Sequence, residues 1–109
     1  MAIDDMHVVM YRILSYLYEC MKMDAVPDWT RCGHEYLGIP RGYWTRIMTE
    51  LIGRGYIAGV KSISDENERE FYPVAPEVTM AGVEFLMENS LMQRAMRFMK
   101  DVNDAVPFL

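Results

Sequence analysis

Only two cysteines, Cys20 and Cys32, occur in 109 residues. That is too few to staple a disulfide scaffold, and it points to an intracellular protein with reduced thiols. No apolar run approaches the roughly 20 residues that span a bilayer, so no membrane partner is expected. The amino terminus carries Asp4 and Asp5 where a signal peptide would carry Lys or Arg. Repeats, low-complexity tracts and long linkers are missing as well, which leaves nothing to divide the chain. Positive charge is scarce: 11 Lys and Arg against 16 Asp and Glu give a net charge of −5, which counts against a general nucleic-acid binder. What remains is ordinary globular composition, 51% apolar and 25% charged, which argues against disorder. One soluble, cytoplasmic domain over residues 1–109 is expected, long enough to bury well over half of its unfolded surface.

The charge is unevenly spread. Residues 30–61 hold Arg31, Arg41, Arg46, Arg54 and Lys61 against Glu35 and Glu50, a balance of +3. Residues 1–29 carry −3 and residues 62–109 carry −5. The basic segment is also the one with the clearest helical patterning.

Asp4 or Asp5 is placed to cap a first helix running to about Met23. Val9, Ile13, Tyr16, Leu17 and Cys20 recur at spacings of three and four, with Arg12, Ser15, Glu19 and Lys22 on the wet side. Asp24 to Asp28, with Pro27, breaks the pattern. A short second helix is expected from Thr30 to Leu37, ended by Gly38. Pro40 suits the first turn of a third helix reaching Arg54. Trp44, Ile47, Met48, Leu51 and Ile52 form its apolar stripe, opposite Arg41, Gly42, Thr45, Arg46, Thr49, Glu50 and Gly53.

Gly55 is placed to close that helix in a left-handed cap. Tyr56 to Ile63 reads as a strand, Ser64 to Arg69 as a charged tip, and Glu70 to Val74 as the returning strand. Pro73 and Pro76 bracket the exit, and Thr79 caps a helix covering Val83, Leu86 and Met87. Ser90, with Gln93 in capping-box spacing, opens a last helix. Its stripe is Leu91, Ala95, Phe98, Met99 and Val102. The order helix, helix, helix, hairpin, helix, helix is that of a winged helix-turn-helix. The expected class is therefore α+β, mainly α, with a core over 5–89 and an extra C-terminal helix over 90–104.

The run from Pro76 to Ser90 (PEVTMAGVEFLMENS) resembles the end of the winged-helix domain in YjcQ-like proteins, and Leu91 to Lys100 resembles the amphipathic C-terminal helix of that group. Upstream, Leu51 to Val60 (LIGRGYIAGV) fits the same family's helix leaving through glycine into the wing. The likeness covers about residues 5–107. It implies a winged-helix fold, a lineage among Gram-positive bacteria, phages and prophages, and no enzymatic activity. It brings no catalytic or ligand residues with it. DNA binding is what such a fold is usually supposed to do, by analogy.

In helix-turn-helix proteins the second helix of the motif enters the major groove with its early residues on base edges. Here those are Arg41, Thr45, Arg46 and Thr49, with Gly42 between them. Arginine pairs two-pronged with guanine, and threonine meets a thymine methyl or a base edge. Arg31, Arg54 and Lys61 are the candidate phosphate contacts, which fix position without reading sequence. The competing expectation is a solvated face in which Arg46 and Glu50 pair at i,i+4. The acidic tip, Asp65-Glu66-Asn67-Glu68, opposes phosphate binding.

Double-stranded DNA is thus one expected partner, a second copy through the C-terminal helix another. The methionines Met87, Met92, Met96 and Met99 suit such an interface, as they suit a core. The alternative is an acidic docking module whose surface, with Glu77, Glu84 and Glu88, meets a basic host or phage protein. His7, Cys20, Cys32 and His34 match no zinc-ligand spacing, so neither a metal nor another cofactor is expected. Cys32 and His34, two residues apart on a helix, point in different directions and have no third orienting group, so no catalytic site is expected.

Overall fold

The computed structural model describes residues 2–66 and 68–89. Its first helix, α1 (Met6–Lys22), is central. Asp5 occupies the N-cap position without a capping bond from its side chain; its carboxylate accepts instead from the Ala2 backbone N–H at 3.2 Å. Val9, Ile13, Tyr16, Leu17 and Cys20 are buried as their spacing requires. The wet side is not wet: Arg12 is 3% exposed and Ser15 9%, so only Glu19 and Lys22 of the expected polar face reach solvent. The third helix, the fourth helix and the second strand all pack on α1 and close off the faces that its own pattern leaves open. Arg12 gains little in exchange. Its Nη1 donates to the Leu37 carbonyl at 3.5 Å and its Nε finds no partner, while burial lowers its pKa against the opposing field of Tyr36.

The expected second helix is split. A 3-10 turn (Trp29–Cys32) and a single-turn helix, α2 (His34–Leu37), meet at Gly33, whose extended backbone interrupts them. Asp28 starts the turn by accepting from the Thr30 N–H at 3.1 Å, and Gly38 ends α2.

Helix α3 (Arg41–Gly53) follows Pro40 and buries Trp44, Ile47, Met48 and Leu51, with Ile52 half-buried. Gly55 closes it at φ 71°. The Gly55 N–H donates to the Ile52 carbonyl at 3.0 Å and the Tyr56 N–H to the Leu51 carbonyl at 2.9 Å. Those two bonds make a Schellman cap, which needs the left-handed residue that glycine supplies without strain.

Strands β1 (Ile57–Ser64) and β2 (Arg69–Val78) pair antiparallel. The returning strand runs four residues beyond the expected Val74, through both prolines. A bulge makes this possible: Ala58 pairs with Glu77 and Val60 with Pro73, so Gly59 alone faces Val74, Ala75 and Pro76. Bulges and unpaired margins are where a strand accepts proline.

Helix α4 (Met80–Glu88) is capped by Thr79, whose hydroxyl accepts from the Gly82 N–H at 3.2 Å. Phe85 is buried and Val83 and Leu86 half-buried, whereas Met87 is 73% exposed. Ser90, Gln93 and the helix expected over 90–104 lie outside the described residues. The described chain is α+β and mainly helical, with a two-stranded sheet in a winged-helix-like arrangement. No described helix is long and apolar enough to cross a membrane.

Candidate nucleic-acid interface

Trp44 decides which way α3 faces. Its indole Nε1 donates to the Cys32 carbonyl at 2.7 Å, and its ring meets Phe71 of β2 edge-on at 5.4 Å. The helix is thereby tied to the 3-10 turn on one side and to the hairpin on the other. With Trp44, Ile47, Met48 and Leu51 inside, Arg41, Gly42, Arg46 and Thr49 are exposed and Thr45 is half-exposed on a common face. These positions were legible from spacing, and they do lie together.

The hairpin contributes a residue that was not. Arg69 opens β2, opposite Ser64. Its Nε donates to the Ser64 hydroxyl at 3.0 Å and its Nη1 to the Thr49 hydroxyl at 3.2 Å, while Thr49 donates to the Thr45 carbonyl at 2.8 Å. Arg69 therefore lies between two shallow grooves. Arg41, Gly42, Thr45 and Glu68 line one with it. Met6, Thr45, Arg46, Thr49 and Glu50 line the other. Three arginines and two threonines thus border one α3–hairpin face. The only sequence signal for Arg69 was a lone base beside the acidic tip.

The other candidates line neither groove. The Arg31 guanidinium sits 4.4 Å from the Tyr16 ring centroid and 5.7 Å from that of Tyr36. Lys61 is exposed on β1 opposite Tyr72 and lines neither groove. Arg54 binds Glu50 at 2.8 Å, and hydrogen bonds to Glu50 and then Tyr56 raise its pKa. That ion pair also corrects the expected Arg46–Glu50 pairing: Glu50 reaches forward to Arg54, and Arg46 makes no ion pair among the described residues. At the tip, the Asp65 carboxylate accepts from the Glu68 N–H at 2.9 Å and the Asp65 N–H donates to the Glu68 carbonyl at 2.9 Å. Glu68 in turn holds Arg41 at 3.2 Å.

Cys20 and Cys32 are both buried. Burial, and after it the neighbouring Cys20, pushes the Cys32 thiol up to about 12. Unfolded, that thiol ionises near 9.0, so between about 9 and 12 the unfolded chain binds fewer protons than the folded one. Stability should then fall with rising pH, by up to about 1.4 kcal/mol per pH unit. Urea midpoints at pH 8 and pH 10 check this: the wild type should lose more than Cys32→Ala, and equal losses would contradict it. Among the described residues no three His, Cys, Asp or Glu side chains gather in a metal-holding group.

Fold and site together define a small winged-helix-like protein with a basic helix face beside an acidic hairpin tip. A model of the YjcQ protein family matches residues 11–105, and the chain belongs to that family. Neither the curated proteins nor the solved structures yield a significant match.

Proposed function

We propose that this chain is a non-enzymatic, cytoplasmic DNA-binding regulator of phage or prophage type, with α3 as its major-groove helix. The observation that carries the proposal is the gathering of Arg41, Thr45, Arg46, Thr49 and Arg69 on one α3–hairpin face. Arg46 is free to seek guanine, the threonines can meet thymine methyls, and Arg69 presents charge from the hairpin side. The non-enzymatic part is supported by Cys32, whose thiol stays protonated at neutral pH and is fully buried. A nucleophile needs the opposite environment.

The test is fluorescence anisotropy of a mixed-sequence duplex titrated at low and at physiological salt. Three arginines on one face, one of them paired with Glu68, predict a log–log salt slope of only about −2 to −3. Arg41→Ala with Arg46→Ala should abolish the binding. No binding at low salt, where exposed charges are least screened, would remove general duplex affinity. A second copy joined through residues 90–104 would double the number of helices presented and raise the affinity by linkage.

A second reading, docking to a protein, is favoured by a cleft between the end of α1 and β2. Met21, Val26 and Val74 are exposed there at 41%, 93% and 73%, beside Asp24 and Glu77. Apolar anchors rimmed by acid suit a basic segment with an apolar side chain.

A further inference from the structure

The three arginines of the α3–hairpin face are not equivalent. Arg46 has no ion pair among the described residues, and Arg69 is bonded to two neutral hydroxyls, so both keep their full charge for a ligand. Arg41 alone is neutralised, by the Glu68 carboxylate 3.2 Å away across 27 positions of sequence. Glu68 is not placed there by Arg41. Its backbone is fixed by the two bonds to Asp65, which involve no part of its own side chain. The hairpin tip therefore carries the carboxylate to the arginine.

A carboxylate and a phosphate present the same pair of charged oxygens to a guanidinium. Resting on the DNA-binding reading above, but moving Arg41 from a base contact to a phosphate contact, we infer that Glu68 is a built-in counterion standing where a DNA phosphate would bind Arg41, and so sets the affinity for non-specific duplex. A phosphate reaching Arg41 has to displace Glu68 and releases fewer condensed counterions than a free arginine would. Contacts through Arg46 and Thr49, which line the other groove, do not meet this competitor. Discouraging the phosphate contact while leaving the base contacts untouched widens the gap between a preferred site and bulk DNA, since phosphates carry no sequence information. The acidic tip then acts as a filter on the interface.

Both partners are about half exposed, 47% for Arg41 and 52% for Glu68, which limits the pair to the surface range. Glu68→Gln should therefore tighten binding to the mixed-sequence duplex by no more than about fivefold from the pair itself. The salt slope should steepen by up to about one unit as Arg41 becomes available. Glu66→Gln removes the same charge from the same tip, where Glu66 makes no ion pair among the described residues, and serves as control. Far-UV circular dichroism of each variant confirms the fold.

The inference holds if Glu68→Gln binds more tightly and with a steeper slope than Glu66→Gln, and if the gain shrinks to the control's when Arg41→Ala is also present. Equal gains from the two substitutions, or an undiminished gain without Arg41, would overturn it and leave the DNA-binding reading intact. Wild type and all variants failing to bind at low salt would remove the DNA-binding reading and this inference with it.

Discussion

Trp44→Ala is expected to destabilise the domain by about 4–8 kcal/mol. Truncating a buried tryptophan costs about 3–5 kcal/mol. Here it also strands the Cys32 carbonyl, which accepts the indole N–H at 2.7 Å in a buried setting. A stranded buried acceptor adds about 1–3 kcal/mol. Against a total of about 5–15 kcal/mol this brings the chain close to unfolding at ordinary temperature. Trp44→Phe separates the two contributions. It keeps an aromatic ring for Phe71 but loses the donor and part of the indole's volume, so it should cost at least about 1–3 kcal/mol and still less than the alanine. Urea denaturation of both variants is the measurement. Equal, small losses would mean that Trp44 does not anchor α3 between the 3-10 turn and the hairpin.

Gly59→Ala should be nearly as damaging, although it adds only a methyl group. Gly59 has φ +77°, and a Cβ built there would stand 1.8 Å from the Ala75 carbonyl oxygen. The left-handed backbone alone costs an L-residue about 1–2 kcal/mol. The obstacle is main chain, so no rotamer change relieves it, and the two strands must separate at the bulge. Gly42→Ala is the opposite case. It lies on α3, its added methyl meets nothing within 4 Å, and its helical backbone favours alanine by about 0.5–1 kcal/mol. Melting temperatures should therefore move in opposite directions. A Gly59→Ala protein that melts with the wild type would refute the close strand approach at the bulge.

The elements that could be read from sequence were those with local causes. The stripe of α3, the glycine that ends it and the Thr79 cap each depend on residues within a few positions of one another. The failures have non-local causes. Arg12 and Ser15 look polar on a helical wheel, yet both are buried: α3, α4 and β2 pack on α1, Arg12 reaches the Leu37 carbonyl of α2, and one helix's periodicity cannot report how many neighbours surround it. Arg46–Glu50 and Glu50–Arg54 have the same spacing. The structure chooses the second, with Glu N-terminal to Arg, the orientation that agrees with the helix dipole.

The site divides in the same way. Arg41, Thr45, Arg46 and Thr49 share a face because 3.6-residue periodicity puts them there. Arg69 joins them only once hairpin register sets it opposite Ser64, which brings its guanidinium back to Thr49, twenty positions earlier. The contacts of Arg31 with the Tyr16 and Tyr36 rings were not legible, because they depend on how the 3-10 turn folds against α1.

The uneven pairing at Gly59 has a further effect on how the protein behaves in a crowd of its own copies. A two-stranded ribbon offers unpaired backbone groups along its margins, and a long flat margin is a template on which other chains stack into fibrils. Here one residue faces three, so the ribbon buckles midway, and Pro73 and Pro76 delete two N–H donors near the buckle. An incoming strand could add only a short stretch of ladder before losing step. The hairpin can thus project its charged tip into water without becoming a seed for aggregation.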